Sequence, residues 1–580
     1  MMTLTEEQQA YIDAPLNEHI YLRACPGSGK TEVVAARVTR AIRDWQQFPS
    51  GIAVLTFCNS ATDELKERLT EYLGEPVSHP HCISTFDSFL LTHIVAKIAS
   101  QITGYTGKNG DFRIRLLDRS ADIFRTNTRI CGRTISACKY DYDLDSNSFV
   151  FSTGELTDIA LNAAVLSAEN MRDLIDTKKR LWREGFATYR DIDMLALMAF
   201  KNEAFGEYFA RVARRFPVVI VDECQDLSAE QLAVIRYLDR LGIRFHFVGD
   251  LNQSIYGFRK SDPARVQKLL NDLHFREFAL SANWRSSQAI ANLCSDLLNV
   301  GRGAGNPDIE SLKPKIIQYQ RCPSELTQRI TELTQGYENV VVVARGHSTL
   351  QRLTRGVTLN TVEELAMSCV SVESKNLERV RLALNSFSQW IALKLSLEVA
   401  PMNLYRPIEI DSTLVWRQFI LNCLKFLSIC GASDVELTWA QWAAITKRAI
   451  RQLPDQPFIP IEIAEKLSGL KKINLSAPSG QGSDKLSTRL SMVELQPVVT
   501  HRYATIHQVK GETHDATVVI SSLKSGNQSH WKDWLNDPST EAARFAYVAS
   551  SRPRHLLIWG VKTLKPTEQK RLVQLGFEIC

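Results

Sequence analysis

The chain has 580 residues, 44% hydrophobic and 23% charged, a balance typical of globular proteins and unlike that of disordered or fibrous chains. A formal charge of +5 allows local basic grooves for nucleic acid without requiring them. No apolar run approaches the roughly 18 residues of a membrane helix, and Met1-Met2-Thr3-Leu4-Thr5-Glu6-Glu7 is too polar for a secretory leader, so a cytoplasmic protein without a membrane partner is expected. The twelve cysteines include no Cys-x-x-Cys, which argues against a zinc or iron–sulfur framework.

In chain order, the apolar run Ile20-Tyr21-Leu22 leads into Ala24-Cys25-Pro26-Gly27-Ser28-Gly29-Lys30-Thr31 and then the helical pattern Glu32–Val38. Strand, glycine loop and helix in that order suit a phosphate-binding loop. Gly27 and Gly29 let backbone N–H groups turn toward phosphates, Lys30 reaches the outer phosphates, and the Thr31 hydroxyl can ligate Mg²⁺. A second apolar run, Phe216–Val221, reads as a buried parallel strand that delivers Asp222-Glu223-Cys224-Gln225-Asp226 at its C-terminal end. Asp222 is expected to hold Mg²⁺ through water, and Glu223 to polarise the attacking water. Alone, this acidic group would read as a surface turn after a core strand; its pairing with the glycine loop favours the catalytic reading.

A third strand-to-loop segment, Phe245–Arg259, places Gln253 to read the γ-phosphate and offers Tyr256, Phe258 and Arg259 as aromatic faces and a cation. Asn283-Trp284-Arg285-Ser286 and Ala546–Arg552 supply Arg285 and Arg552 as candidate arginine fingers. Single arginines after an aromatic are usually surface residues; these two gain a functional reading from the motifs around them. The basic groups Lys178-Lys179-Arg180 and Lys471-Lys472 read instead as solvated helix faces.

Together these motifs resemble the UvrD/Rep/PcrA type of superfamily 1 helicases. Leu4–Ala10 is similar to the adenine-reading Q motif, with Gln8 as the base contact, and Ile52–Ala61 to motif Ia. Ser84–Phe89 resembles the family's T-F-H-S-F segment with Asp87 in place of histidine; Thr505–Gly511 resembles motif V, and the segment around Arg552 motif VI. The resemblance implies that Trp284 stacks on adenine. It also implies that Phe57, Asn59, Thr85, Tyr256, Phe258 and Arg259 meet single-stranded DNA, and that travel is 3′ to 5′. Base–aromatic stacking tolerates any sequence, as stepping along arbitrary DNA requires.

Two departures stand out: Cys25 occupies a usual glycine position, and Glu512-Thr513-His514-Asp515 replaces the L-E-F that follows motif V. The latter resembles compact UvrD-like helicases encoded beside OLD-family nucleases, such as the helicase subunit of the Gabija anti-phage system. This implies a role in phage defence or repair, with an OLD-like nuclease as partner.

The expected fold is α/β, with two RecA-like parallel-sheet motor domains and two mainly helical accessory insertions. The first motor domain is assigned to 1–96 and 186–278, with an insertion at 97–185; the second to 279–355 and 495–580, with an insertion at 356–494. An ATP-driven DNA translocase or helicase is the leading functional expectation. The alternative is an ATP- and DNA-sensing regulatory subunit that controls a partner nuclease and unwinds little. A built-in nuclease is disfavoured, since only 28 residues follow Arg552.

Overall fold

A computed structural model describes residues 4–108, 110–143, 146–153, 158–257, 261–354, 361–374, 377–399, 405–410, 412–478, 480–488, 490, 501–526 and 528–580. The chain divides into two compact units, one comprising Met1–Gln320, Thr334–Thr349 and Arg502–Cys580, the other Arg321–Leu333 and Leu350–His501.

The first unit is built on two six-stranded parallel sheets, whose strands we number in chain order. The first sheet contains β1 (Ile20–Ala24), β2 (Ile52–Thr56), β3 (Cys82–Thr85), β4 (Val218–Val221), β5 (Arg244–Gly249) and β6 (Arg276–Leu280), in the order β6-β1-β5-β4-β2-β3. The second contains β7 (Lys315–Tyr319), β8 (Val340–Ala344), β9 (Arg502–Thr505), β10 (His514–Ile520), β11 (Pro553–Lys562) and β12 (Glu578–Ile579), in the order β9-β8-β10-β11-β7-β12. Central strands such as Val218-Val219-Ile220-Val221 and Val340-Val341-Val342-Val343-Ala344 are buried throughout, as covering both faces of a parallel sheet demands.

Register decides where chemistry can occur. Arg23 pairs with Gly249, Val221 with Phe247, Leu55 with Val221, and Ala24 with Leu280. The C-terminal ends of β6, β1, β5, β4 and β2 therefore stand side by side, and the five loops leaving them share one edge of the sheet, where open α/β sheets bind ligands.

Helix α1 (Glu6–Asp13) starts with a capping box between Thr5 and Gln8, and helix α2 (Lys30–Arg43) buries Val33, Val34, Ala35, Val38 and Ala41 against the first sheet. Arg37 on that same face is 1% exposed. Its guanidinium donates to the carbonyls of Tyr11, Ile12, Ala14 and Pro15 at 2.6–3.2 Å and to His246 Nδ1, clamping the end of α1 to α2. Burial keeps His246 well below its usual pKa, so it serves as a neutral acceptor. Arg37→Met should cost about 2–4 kcal/mol in chemical denaturation, because several buried acceptors lose their donor at once.

Between β3 and β4 the chain forms helices Asp158–Ala163 and Ala168–Arg183, together with an antiparallel hairpin of Tyr140–Asp143 and Ser148–Phe151. Lys178 on the longer helix departs from the expected solvated face: it is 5% exposed and donates to Asp191 Oδ1 at 2.7 Å. Its long stem packs inward while two carboxylates, Asp191 and, at 3.9 Å, Asp141, balance the ammonium.

The second unit is helical. Helices Thr361–Ser371, Leu377–Lys394, Thr413–Leu427 and Trp439–Gln452 enclose a core containing Trp416, Phe419, Trp439 and Trp442. The indole of Trp416 donates to Ser388 Oγ at 2.7 Å, and that of Trp442 to the Ala432 carbonyl at 2.8 Å. Among the described residues no helix is long and apolar enough to cross a membrane, and no His/Cys/Asp/Glu group has the arrangement of a metal cluster.

Candidate nucleotide and nucleic-acid site

The glycine loop leaves β1 and enters α2 directly at Lys30. Gly27 and Gly29 take φ values of 72° and 76°, in the left-handed region where a side chain is strained. Gly27 is also required sterically, since a Cβ there would collide with the side chains of Asn283 and Arg285. Trp284 N donates to the Gly27 carbonyl at 2.8 Å, so the loop after β6 lies directly on the glycine loop. Asn283 Oδ1 shapes that loop by accepting from Arg285 N at 2.9 Å and Ser286 N at 3.0 Å. The Trp284 ring is 42% exposed beside the loop, and Ala24, Cys25, Pro26 and Thr31 belong to the same strand–loop–helix turn. Burial pushes the Cys25 thiol up to about 12, which keeps it un-ionised at neutral pH. Gln8 is engaged inside the protein: its carbonyl accepts from Thr5 N at 2.9 Å and its amide donates to the Ser28 carbonyl at 3.2 Å.

Lys30 reaches across to β4, where its ammonium contacts Glu223 and lies 3.6 Å from Asp222 Oδ1. Gln225 Nε2 donates to the other oxygen of Glu223. The Glu223 backbone has φ 54°, a left-handed conformation for a non-glycine residue; strain of this kind persists where its surroundings impose it. Burial alone would lower the Lys30 pKa, but Asp222 and Glu223 reverse that and raise it. Burial would raise Glu223, but Lys30 and Lys510 outweigh it and hold the carboxyl at about 2. Asp222 moves up, chiefly through burial, and Lys30 opposes the shift.

The opposing side comes from the second sheet. Arg552, 1% exposed, donates to the Val548 carbonyl at 2.8 Å and to Gln253 Oε1 at 3.1 Å. Gln253 Nε2 donates to Asp250 Oδ2 at 3.0 Å, and Tyr547 O–H donates to the same oxygen at 2.9 Å. Arg285 Nη1 donates to the Ser551 carbonyl at 3.2 Å. Burial depresses both arginine pKa values, and for Arg285 the charge of Arg552 adds to the effect. Lys510 ties the two sheets together through an ion pair with Asp226. Tyr547→Phe should reduce kcat for ATP about tenfold with little change in KM, because a buried Asp250 oxygen loses a donor worth about 1–3 kcal/mol and Gln253 loses its orientation. Steady-state kinetics with varied ATP would check this.

Beside this cleft runs an aromatic line. Phe57 and Tyr256 have ring centroids 4.9 Å apart, Tyr256 and His507 5.6 Å, and the Lys510 ammonium lies 4.9 Å from the Tyr256 ring. Asn59 is exposed at the start of helix Asn59–Leu73, while Thr85 caps the short helix Phe86–Phe89 through Ser88 N at 3.2 Å. Phe258 and Arg259 lie outside the described residues. The structure thus brings Lys30, Asp222, Glu223, Gln253, Arg285 and Arg552 into one cleft, with Phe57 and Tyr256 along its flank. Sequence reasoning missed Asp250, Tyr547 and Lys510. Each sits inside a quoted motif, but its partner lies hundreds of positions away in the chain.

Residues 4–274 match the UvrD/REP helicase N-terminal domain. The ATP-dependent DNA helicase UvrD1 of Mycobacterium leprae is 30% identical over 295 residues, covering 48% of this chain and 37% of that protein. The ATP-dependent DNA helicase PcrA of Leuconostoc citreum is 28% identical over 294 residues (48% and 37%), and the ATP-dependent DNA helicase Rep of Escherichia coli K12 27% over 325 residues (53% and 44%). The matched part of the chain therefore spans about two fifths of these relatives' lengths. Over residues 4–274 the chain is thus similar to the N-terminal domain of the UvrD/REP helicases, the part it shares with these relatives.

Proposed function

We propose that the protein is an ATP-driven motor on DNA, a translocase or helicase that moves 3′ to 5′ along single-stranded or partly duplex DNA. The observation that carries this reading is the facing of Lys30 and Glu223, from the first sheet, by Arg285 and Arg552, which are bonded to the end of the helix before β11. ATP would place its phosphates on the glycine loop and Lys30, its adenine against Trp284, and its γ-phosphate between the two sides. Gln8 would meet the base edge after exchanging its bond to Ser28. Glu223 would orient the attacking water, and the arginines would balance charge on the transferring phosphoryl group.

Asp222 and the Thr31 hydroxyl form an all-oxygen donor set at the strand end and the first helical turn, which fits Mg²⁺. Bound there, the ion would neutralise phosphate charge. Loss of the γ-phosphate would break the tie between the two sides and let the cleft open. The loop Asp250–Gly257 would carry that change to the DNA. Gln253 lies three residues from Tyr256, and the loop is held to the second sheet's helix by Gly257 N donating to Glu541 at 2.8 Å and Arg544 donating to the Ser254 carbonyl at 2.7 Å. Phe57, Asn59, Thr85 and Tyr256 would line the strand's path, joined by Phe258 and Arg259.

The test is steady-state ATP hydrolysis with and without single-stranded DNA, beside Lys30→Ala. Strong DNA stimulation abolished by the substitution supports the motor; unchanged hydrolysis by Lys30→Ala refutes it. A second reading, an ATP- and DNA-sensing subunit that controls an OLD-like nuclease in defence or repair, is favoured by Glu512. Its carboxylate is held by Arg502 at 2.7 and 2.8 Å and by His514 at 3.1 Å, an engagement that competes with any contact to the nucleotide ribose. Strand displacement by the isolated chain separates the readings: robust unwinding argues against a pure sensor.

A further inference from the structure

Between Arg119 and Lys139 the chain carries five basic residues and one acidic one, Asp122. The structure gathers four of the five around one concavity. Ile130 and Arg133 exchange backbone hydrogen bonds at 2.8 and 3.1 Å around Cys131 and Gly132, whose φ values of 50° and 79° make a tight two-residue hairpin turn. Thr126 N donates to the Ile135 carbonyl at 2.9 Å and extends the pairing, so Arg125 and Arg129 stand on one arm and Arg133 on the other.

These three side chains and Lys139 line a cavity of about 300 Å³ with Thr153 and an apolar floor at Leu161. Among the described residues that line it, none is acidic. Arg125 is partly neutralised by Asp122 and fixed by donating to the Thr134 carbonyl at 2.8 Å. Arg129 and Lys139 have no carboxylate partner among the described residues. A cleft lined mainly by one sign of charge concentrates ions of the other. Guanidinium groups favour phosphate oxygens, which they can grip two at a time.

We propose that this cavity is a second anion site, taking a ligand that carries two or more phosphates: a nucleoside polyphosphate or a stretch of nucleic-acid backbone. None of its residues belongs to the glycine loop or the aromatic line, so the inference stands apart from the motor reading.

The test uses the full chain with Lys30→Ala, which weakens the glycine-loop site, and compares it with the same chain also carrying Arg129→Glu and Lys139→Gln. Inorganic tripolyphosphate is titrated by calorimetry. A fluorescein-labelled oligothymidylate is titrated by anisotropy over a range of salt concentrations. Weakening of about fivefold or more with either probe supports the site and identifies its source. In the nucleic-acid case the slope of log Kd against log salt should also fall by about 0.7 per lost phosphate contact. Affinities within about twofold for both probes, with an unchanged slope and unfolding midpoint, would overturn it. Should the double substitution disturb folding, Arg129→Gln alone gives the same reading, since Arg129 is exposed on the hairpin arm.

Discussion

Glu223→Gln is expected to lower DNA-stimulated ATP turnover by about 10²–10⁴-fold while leaving ATP binding close to its original strength, the range for loss of a positioned acid–base group. The substitution keeps the shape of the side chain and one oxygen for Lys30 and Gln225, so the left-handed backbone at 223 and the end of β4 should survive it. What it removes is the negative charge.

Burial pushes the Glu223 carboxyl up, but Lys30 and Lys510 outweigh it and hold it at about 2. That makes it a poor proton acceptor. A bound γ-phosphate would draw the Lys30 ammonium toward itself, and burial would then raise Glu223 toward the range useful to a base. Two measurements check this together: single-turnover phosphate release, and binding of a fluorescent ATP analogue. Release within about threefold of the parent would remove Glu223 from the chemistry. Loss of binding in step with release would assign it a structural role.

The reach of the sequence is clear at this site. Strands such as Val218–Val221 and Val340–Ala344 were readable because short all-apolar runs have few other destinations in a chain of this composition. The glycine loop was readable for a local reason: the left-handed turns at Gly27 and Gly29 are dictated within a few residues. Asp250 was not readable as a hub. Its importance lies in two donors, Gln253 three residues away and Tyr547 from the second sheet, and only the fold brings Tyr547 near. Lys178 misled for a related reason. A basic triplet on an amphipathic helix reads as solvated unless Asp191 and Asp141 are known to lie beneath it. Local conformation was legible, whereas pairing across long separations was not.

Arg552→Ala is expected to reduce ATP turnover by about 10³–10⁵-fold, the range for loss of an arginine finger. Arg552 is buried, and among the described residues its hydrogen bonds go to neutral groups, namely the Val548 carbonyl, Gln253 and Ser551 Oγ. Arg285 likewise donates to a neutral carbonyl, and burial together with the charge of Arg552 weakens its hold on its proton. A buried pair of like charges with neutral partners is arranged for an anion that arrives between them. Phosphoryl transfer supplies the greatest charge there at the transition state, so kcat should fall far more than ATP affinity.

Arg552→Lys should rescue only partly, because an ammonium cannot span Val548, Gln253 and Ser551 as the planar fork does. Because Arg285 and Arg552 act on the same charge, Arg285→Ala together with Arg552→Ala should cost much less than the product of the two single losses. Multiplicative losses would mean that the arginines act at separate steps, one of them outside the chemistry. Full activity in Arg552→Lys would reduce its role to charge alone and leave the bond to Gln253 without a catalytic purpose.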